Sequence, residues 1–157
     1  MKKFLLILLN ITFLFAITDD LLIIEAKLYP KVIMLENKYI TSPKMGIIYD
    51  ENSQETAEKL KNFLVLNGYT ALLMKKDNIK KADGYILTIK NPTYSLIRTL
   101  LKTHKLIFGI YPESIKYTMI SVYIGPRIKL YVNPKIIKKA DIYINPILFK
   151  VGKIYEE

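Results

Sequence analysis

The sequence predicts an α/β fold: a mainly parallel sheet flanked by helices, closed by a C-terminal antiparallel hairpin and a last helix. Three observations predict it. Short apolar runs alternate with helix-patterned stretches over the first two thirds of the chain. Two β-rich runs meet at Gly125-Pro126 in the last third. Hydrophobic residues make up 51% of 157 residues, enough material for a packed core.

The elements follow in order. Met1-Lys2-Lys3 is a short positive segment, and residues 4–17 are apolar except for Asn10 and Thr12. A spanning helix needs about 20 apolar residues, so this run suits an export signal over residues 1–18. Cutting after Thr18 places Ala16 at the small-residue position, whereas cutting after Ala16 places Leu14 there. The run therefore serves as a cleaved signal or as an uncleaved anchor. Either way, residues 19–157 are expected to form a single exported domain outside the cytoplasm.

Residues 21–35 read as a helix, with Leu21, Ile24, Leu28, Val32 and Leu35 inward and a kink or restart at Pro30. Residues 45–49 read as a buried strand. Asp50 to Ser53 supply turn chemistry, and Asn52 with Glu55 forms a capping-box variant. The helix that follows places Ala57, Leu60, Phe63, Leu64 and Leu66 inward and stops at Asn67-Gly68. Residues 69–74 and 84–89 read as strands, joined by a charged connection with a short helix. Asn91-Pro92-Thr93 turns into a helix through Tyr94, Ile97, Leu100 and Leu101. Residues 106–110 make a fourth strand. Residues 118–124 and 127–132 pair as the hairpin. Asn133-Pro134 starts a helix with Ile136, Ile137 and Ala140 inward, and residues 146–155 offer Ile147, Leu148, Val151 and Ile154 for docking.

Composition narrows the chemistry. There is no cysteine, which excludes disulfides, thiolate zinc sites, thiol catalysis and lipoprotein attachment. His104 is the only histidine, so no metal site is expected. It sits between basic neighbours at a helix end, where capping is its role. Ser42, Ser53, Ser95, Ser114 and Ser121 lack a nucleophile-elbow context. Glycine numbers only 6, with no Gly-rich strand-to-helix turn, so no nucleotide cofactor is expected. With no acid-base pair, metal set or activated nucleophile, the chain reads as a non-enzyme.

Lys and Arg number 24 against 14 Asp and Glu. That surplus reads as a lysine-rich solvated surface of a heat-adapted kind, although it also suits anionic lipid or an acidic partner. The 12 tyrosines alternate with Ile in strand-like runs, which fits sheet packing rather than nucleic acid. The remaining candidate site is the crevice outside the carboxyl ends of the strands. Its rim would hold Asp50, Asn52, Lys75, Asn91, Thr93, Tyr111 and Glu113, residues that also serve as ordinary turn and cap groups.

The C-terminal third carries a resemblance. Ile128-Lys129-Leu130-Tyr131-Val132-Asn133 runs into a helix with Lys139-Ala140-Asp141-Ile142, then Asn145-Pro146-Ile147-Leu148 and Val151-Gly152-Lys153-Ile154-Tyr155. Glu25-Ala26-Lys27-Leu28-Tyr29-Pro30-Lys31 and Ala82-Asp83-Gly84-Tyr85-Ile86-Leu87 extend it to nearly all of residues 19–157. The pattern resembles the YfiR-like (HmsC-like) family of periplasmic regulatory proteins. The family's cysteines are missing here, and residues 113–117 lack the Gly-rich stretch often found in relatives. The resemblance implies a sensor or regulatory domain that binds the extracytoplasmic part of a membrane-bound signalling protein, such as a diguanylate cyclase or histidine kinase. The alternative is an extracytoplasmic solute-binding module that serves a transporter or sensor. A homodimer is also expected as an option, through the hairpin edge near Tyr123 or the last helix.

Overall fold

The computed structural model describes residues 2–157, with side chains described from Asp19 onward. The export segment expected over residues 1–18 lies outside the fully described residues. Among the described residues no helix is long and apolar enough to cross a membrane.

The chain runs α1 (Lys2–Glu36), β1 (Lys44–Tyr49), α2 (Gln54–Leu66), β2 (Thr70–Lys75), β3 (Gly84–Leu87), α3 (Tyr94–Leu101) and β4 (Leu106–Gly109). A short 3-10 helix, Pro112–Lys116, leads to β5 (Ile120–Tyr123), β6 (Lys129–Val132), α4 (Pro134–Lys139), α5 (Ile147–Val151) and β7 (Lys153–Ile154). Among the described residues seven strands form one sheet in the order β2-β1-β3-β4-β5-β6-β7. Strands β1 to β5 are mutually parallel. β6 turns back antiparallel on β5, with Ile120 opposite Val132 and Tyr123 opposite Lys129. β7 runs parallel to β6. The fold is the expected α/β arrangement, with the antiparallel hairpin in place.

The strands are buried because helices cover them. Met45, Ile47, Ile48, Ile86, Leu87, Ile107 and Phe108 are buried in the core. Continuous apolar runs of this kind are what a parallel sheet requires. α1 lies across β3 and β4. Tyr29 stacks on Phe108 with ring centroids 4.5 Å apart. Ile33 occupies the space that a side chain at Gly84 would need.

Several expectations are corrected. The buried stripe of α1 is Leu22, Ala26, Tyr29, Val32 and Ile33, whereas Leu35 is 42% exposed. The expected stripe was rotated, because Leu28 and Leu21 drew it toward the α1 flank and away from Tyr29. Pro30 neither ends nor restarts α1. Its ring is buried against the fold, and that packing offsets the lost backbone bond. Leu66 is 81% exposed, because two residues past the buried Leu64 it faces the opposite side of α2. Residues 76–83 make a turn at Lys76-Asp77 and then an irregular run, with no helix. Asn67-Gly68 does stop α2: Gly68 has φ +85, and Tyr69 N donates to Leu64 O at 3.0 Å. The last stretch divides, with α5 burying Leu148 while Val151 stays 57% exposed and the chain turns into β7. Tyr123 sits on β5, an inner strand paired with both β4 and β6, so the free sheet edges belong to β2 and β7.

Packing requires glycine at position 109. A Cβ on Gly109 would collide with Ser114 Cβ and meet Thr118 Oγ1 at 3.0 Å. Ser114 begins no flexible arm there, so the backbone itself has to move. Gly109→Ala should therefore lower unfolding stability by about 1–3 kcal/mol, measured by urea denaturation. An unchanged midpoint would show that the 3-10 segment is not seated on β4.

Candidate functional site

The order β2-β1-β3-β4-β5 reverses direction between β1 and β3, and doubly wound sheets hold ligands at such a switch point. The loops that leave β1 and β3 meet there. Asp50 Oδ1 accepts from Asn52 N at 3.1 Å, from Ser53 N at 3.0 Å and from Ser53 Oγ at 2.9 Å. Asp50 N in turn donates to Ser53 Oγ at 3.0 Å. Thr88, just beyond β3, places Oγ1 2.9 Å from Ile48 O and 3.1 Å from Ser53 Oγ. Its single proton is shared between the two.

This arrangement replaces the expected cap. The residue that caps α2 by position is Ser53, whose side chain makes no capping bond. Asp50 takes the amides of Asn52 and Ser53, ahead of α2, in an Asx turn. A carboxylate thus stands close to the positive end of the helix, which disfavours a second anion there.

Beside the switch point, toward β2, lies an open polar cleft of about 340 Å³, lined by Tyr49, Asp50, Asn52, Gln54, Lys75 and Asp77 among others. Three of the expected rim residues, Asp50, Asn52 and Lys75, meet here. Thr93 does not. It lines a neighbouring cleft of about 490 Å³ with Lys76, Asp77, Ser95 and Thr99, and its hydroxyl caps α3 by accepting from Leu96 N at 3.3 Å. Asn91 is exposed in the turn before α3. Tyr111 and Glu113 lie past β4. Burial pushes the Tyr111 phenol up, and the negative charges of Glu25, Asp50 and Glu113 push it the same way. The expected rim is therefore divided among two clefts and the Tyr111 surround.

Sequence reasoning missed Ser53 and Thr88, which tie β1 to β3, and Glu25. Thr88 was legible as the polar residue ending an apolar run at a strand end. Glu25 was hidden inside a helical stripe. It is fully buried, and its Oε2 has no hydrogen-bond partner. Oε1 lies 3.3 Å from Tyr29 Oη, which also lies 2.6 Å from Gly109 O. The Tyr29 hydroxyl donates chiefly to Gly109 O and, more weakly, to Glu25 Oε1. Burial raises the Glu25 carboxyl well above its usual range, and the Tyr29 hydrogen bond offsets only part of that rise.

His104 has φ +52, and its Nδ1 donates to Ala140 O at 2.7 Å. It caps the last turn of α4 from the end of α3. Among the described residues no group of three His, Cys, Asp or Glu side chains could hold a metal ion.

No protein-family model matches the chain, and no curated protein matches it in sequence. Two solved structures share its fold. One is the ABC domain in complex with L-Trp from Streptococcus pneumonia, with TM-score 0.56, 16% identity, and coverage of 80% of this chain and 60% of that one. The other is a conserved domain protein from Vibrio cholerae O1 biovar El Tor, with TM-score 0.56, 9% identity, and coverage of 83% and 60%. The chain thus spans 60% of the length of each structure, and the likeness is one of fold.

The buried acid has a consequence for stability. In the unfolded chain a Glu carboxyl titrates near 4.5, the ordinary value, whereas in the fold it holds its proton to higher pH. The stabilisation is complete below pH 4.5. It declines as pH rises from there toward the folded value, because the unfolded chain alone has released its proton. Glu25→Gln should remove that part of the slope and raise stability at pH 7, read from denaturation midpoints across pH. An identical slope in the variant would show that Glu25 is ionised in the fold.

Proposed function

We propose that the chain is an exported, non-catalytic regulatory domain that binds the extracytoplasmic part of a membrane-bound signalling protein. The observation that carries this reading is the self-satisfied switch point. Asp50, Ser53 and Thr88 bond to one another and to the adjoining backbone, and the Asp50 carboxylate stands close to the positive end of α2. The Asp50 carboxylate there disfavours a phosphate, and contact with a protein partner falls to the surface. The resemblance to YfiR-like proteins over residues 19–157 supports the same role.

The surface offers a protein-sized contact. Tyr39 is 97% exposed and Tyr143 is 81% exposed. With Leu35 and Asn145 they line a groove of about 450 Å³ at the C-terminal end of α1. Tyrosine combines large apolar area with a polar tip and is enriched in protein contacts. Glu36 fixes this end of α1, its carboxylate oxygens accepting from Asn145 N at 2.9 and 3.1 Å. For regulation, the domain must bind one state of its partner more tightly than the other.

A second reading has its own observation. The 340 Å³ cleft falls within the roughly 300–1,000 Å³ of small-molecule sites, and both lysines and carboxylates line it. A zwitterionic solute such as an amino acid suits that mixture, and the similar ABC domain holds L-Trp. Two measurements separate the readings. The tagged chain, mixed with detergent-solubilised membranes, should retain a cyclase or kinase with an extracytoplasmic domain. Tyr39→Ser with Tyr143→Ser should reduce that retention tenfold or more. A melting temperature that rises with an amino acid, with no signalling protein retained, overturns the regulatory reading in favour of solute binding.

A further inference from the structure

We propose that the β5–β6 hairpin and the β6–β7 edge form a docking face for an anionic lipid surface. The face is built by register. Tyr123 lies opposite Lys129, and Tyr131 opposite Lys153. Residues two apart on a strand share a face, so Lys129, Tyr131, Lys153 and Tyr155 line up with Tyr123 on one side of the sheet. Ile120, Val122, Leu130 and Val132 point to the other side and are buried there.

The exposed side is aromatic and cationic. Tyr131 meets Tyr123 edge-on at 5.4 Å and Tyr155 edge-on at 5.5 Å. Lys153 Nζ rests 3.9 Å from the centre of the Tyr123 ring. A groove of about 570 Å³ opens between the hairpin tip and β7, lined by Tyr123, Pro126, Arg127, Lys129, Gly152 and Lys153. Its charged residues are all cations. The Lys153 ammonium is held in its charged form, first by its contact with Tyr123 and also by Glu156 nearby.

The tip adds the apolar component. Ile124 and Ile128 flank Gly125-Pro126-Arg127, and each is 50% exposed. An apolar tip, a ring of tyrosines and flanking Lys and Arg follow the order of chemistries from acyl chain to headgroup to phosphate. An acidic protein would match the cations but would leave Ile124 and Ile128 in water. An anionic bilayer surface accommodates both, and so it is the partner the face fits. The inference does not depend on which signalling protein the domain binds.

The test uses the full chain on vesicles and a local readout, so that residues 4–17 do not dominate the signal. The amides of residues 124–128 lie outside the paired register of β5 and β6, and their hydrogen exchange reports on cover at the tip. Exchange there should slow tenfold or more on vesicles that mix phosphatidylglycerol with phosphatidylcholine, relative to phosphatidylcholine alone. High salt should reverse it. Arg127→Glu with Lys129→Glu should weaken partition roughly thirtyfold and abolish the slowing. Both positions are exposed, and unchanged exchange of β3 and β4 amides confirms that the variant is folded. Equal exchange on the two vesicle types overturns the proposal, as does slowing that survives the double variant. Equal slowing by polyglutamate without vesicles also overturns it, in favour of an acidic polymer.

Discussion

The seat of α1 on the sheet is the constraint on which the rest of the molecule depends. Tyr29 is fully buried, stacked on Phe108, and donates its hydroxyl proton to Gly109 O across 80 residues of sequence. A buried carbonyl without a partner costs roughly 1–3 kcal/mol, so this bond fixes the helix as well as filling space. Gly84 lets Ile33 approach one end of the contact, and Gly109 lets the 3-10 turn approach the other. The helix hides one sheet face and brings Glu25 into an apolar interior. Burial there raises the Glu25 carboxyl well above its usual range and leaves its Oε2 without a hydrogen-bond partner.

The rim of the sheet follows from this frame. β1 and β3 are held at their ends by Ser53 and Thr88, and Asp50 satisfies the loop before α2. These are structural bonds at a place where other doubly wound domains bind ligands. Two surfaces are available on different parts of the chain, the Tyr39–Tyr143 groove at the end of α1 and the cationic tyrosine face of the hairpin.

Most of the architecture was legible from residues alone. The alternation of apolar runs with helical stretches identified four parallel strands, and Gly125-Pro126 marked the hairpin of β5 and β6; that β5 also runs parallel to β4 came only from the structure. Asn133-Pro134 marked the start of α4, where Asn133 Oδ1 accepts from Lys135 N and Ile136 N. What escaped was decided by tertiary contact. The stripe of α1 turned on a tyrosine and a carboxyl that no hydrophobic pattern would place inward. Lys153 and Ile154 continue a helical spacing on paper, yet pairing with Tyr131 and Val132 draws them into β7. The candidate rim was legible as turn chemistry but not as geometry: Asp50, Asn52 and Lys75 share a cleft because β1 and β2 are neighbours. Thr93, Asn91, Tyr111 and Glu113 leave from strands on the far side of the switch point.

The measurement that tests this account most directly is solution NMR of the Tyr29 side chain in the full chain. The account predicts cross-relaxation between the Tyr29 and Phe108 rings and between Tyr29 and the Gly109 α-protons. It also predicts upfield-shifted Tyr29 ring signals from the stack, and a hydroxyl proton slow enough in exchange to be seen. Tyr29 ring signals at free-tyrosine positions, with no contact to Phe108 or Gly109, would contradict the account by showing that α1 is not seated on the sheet.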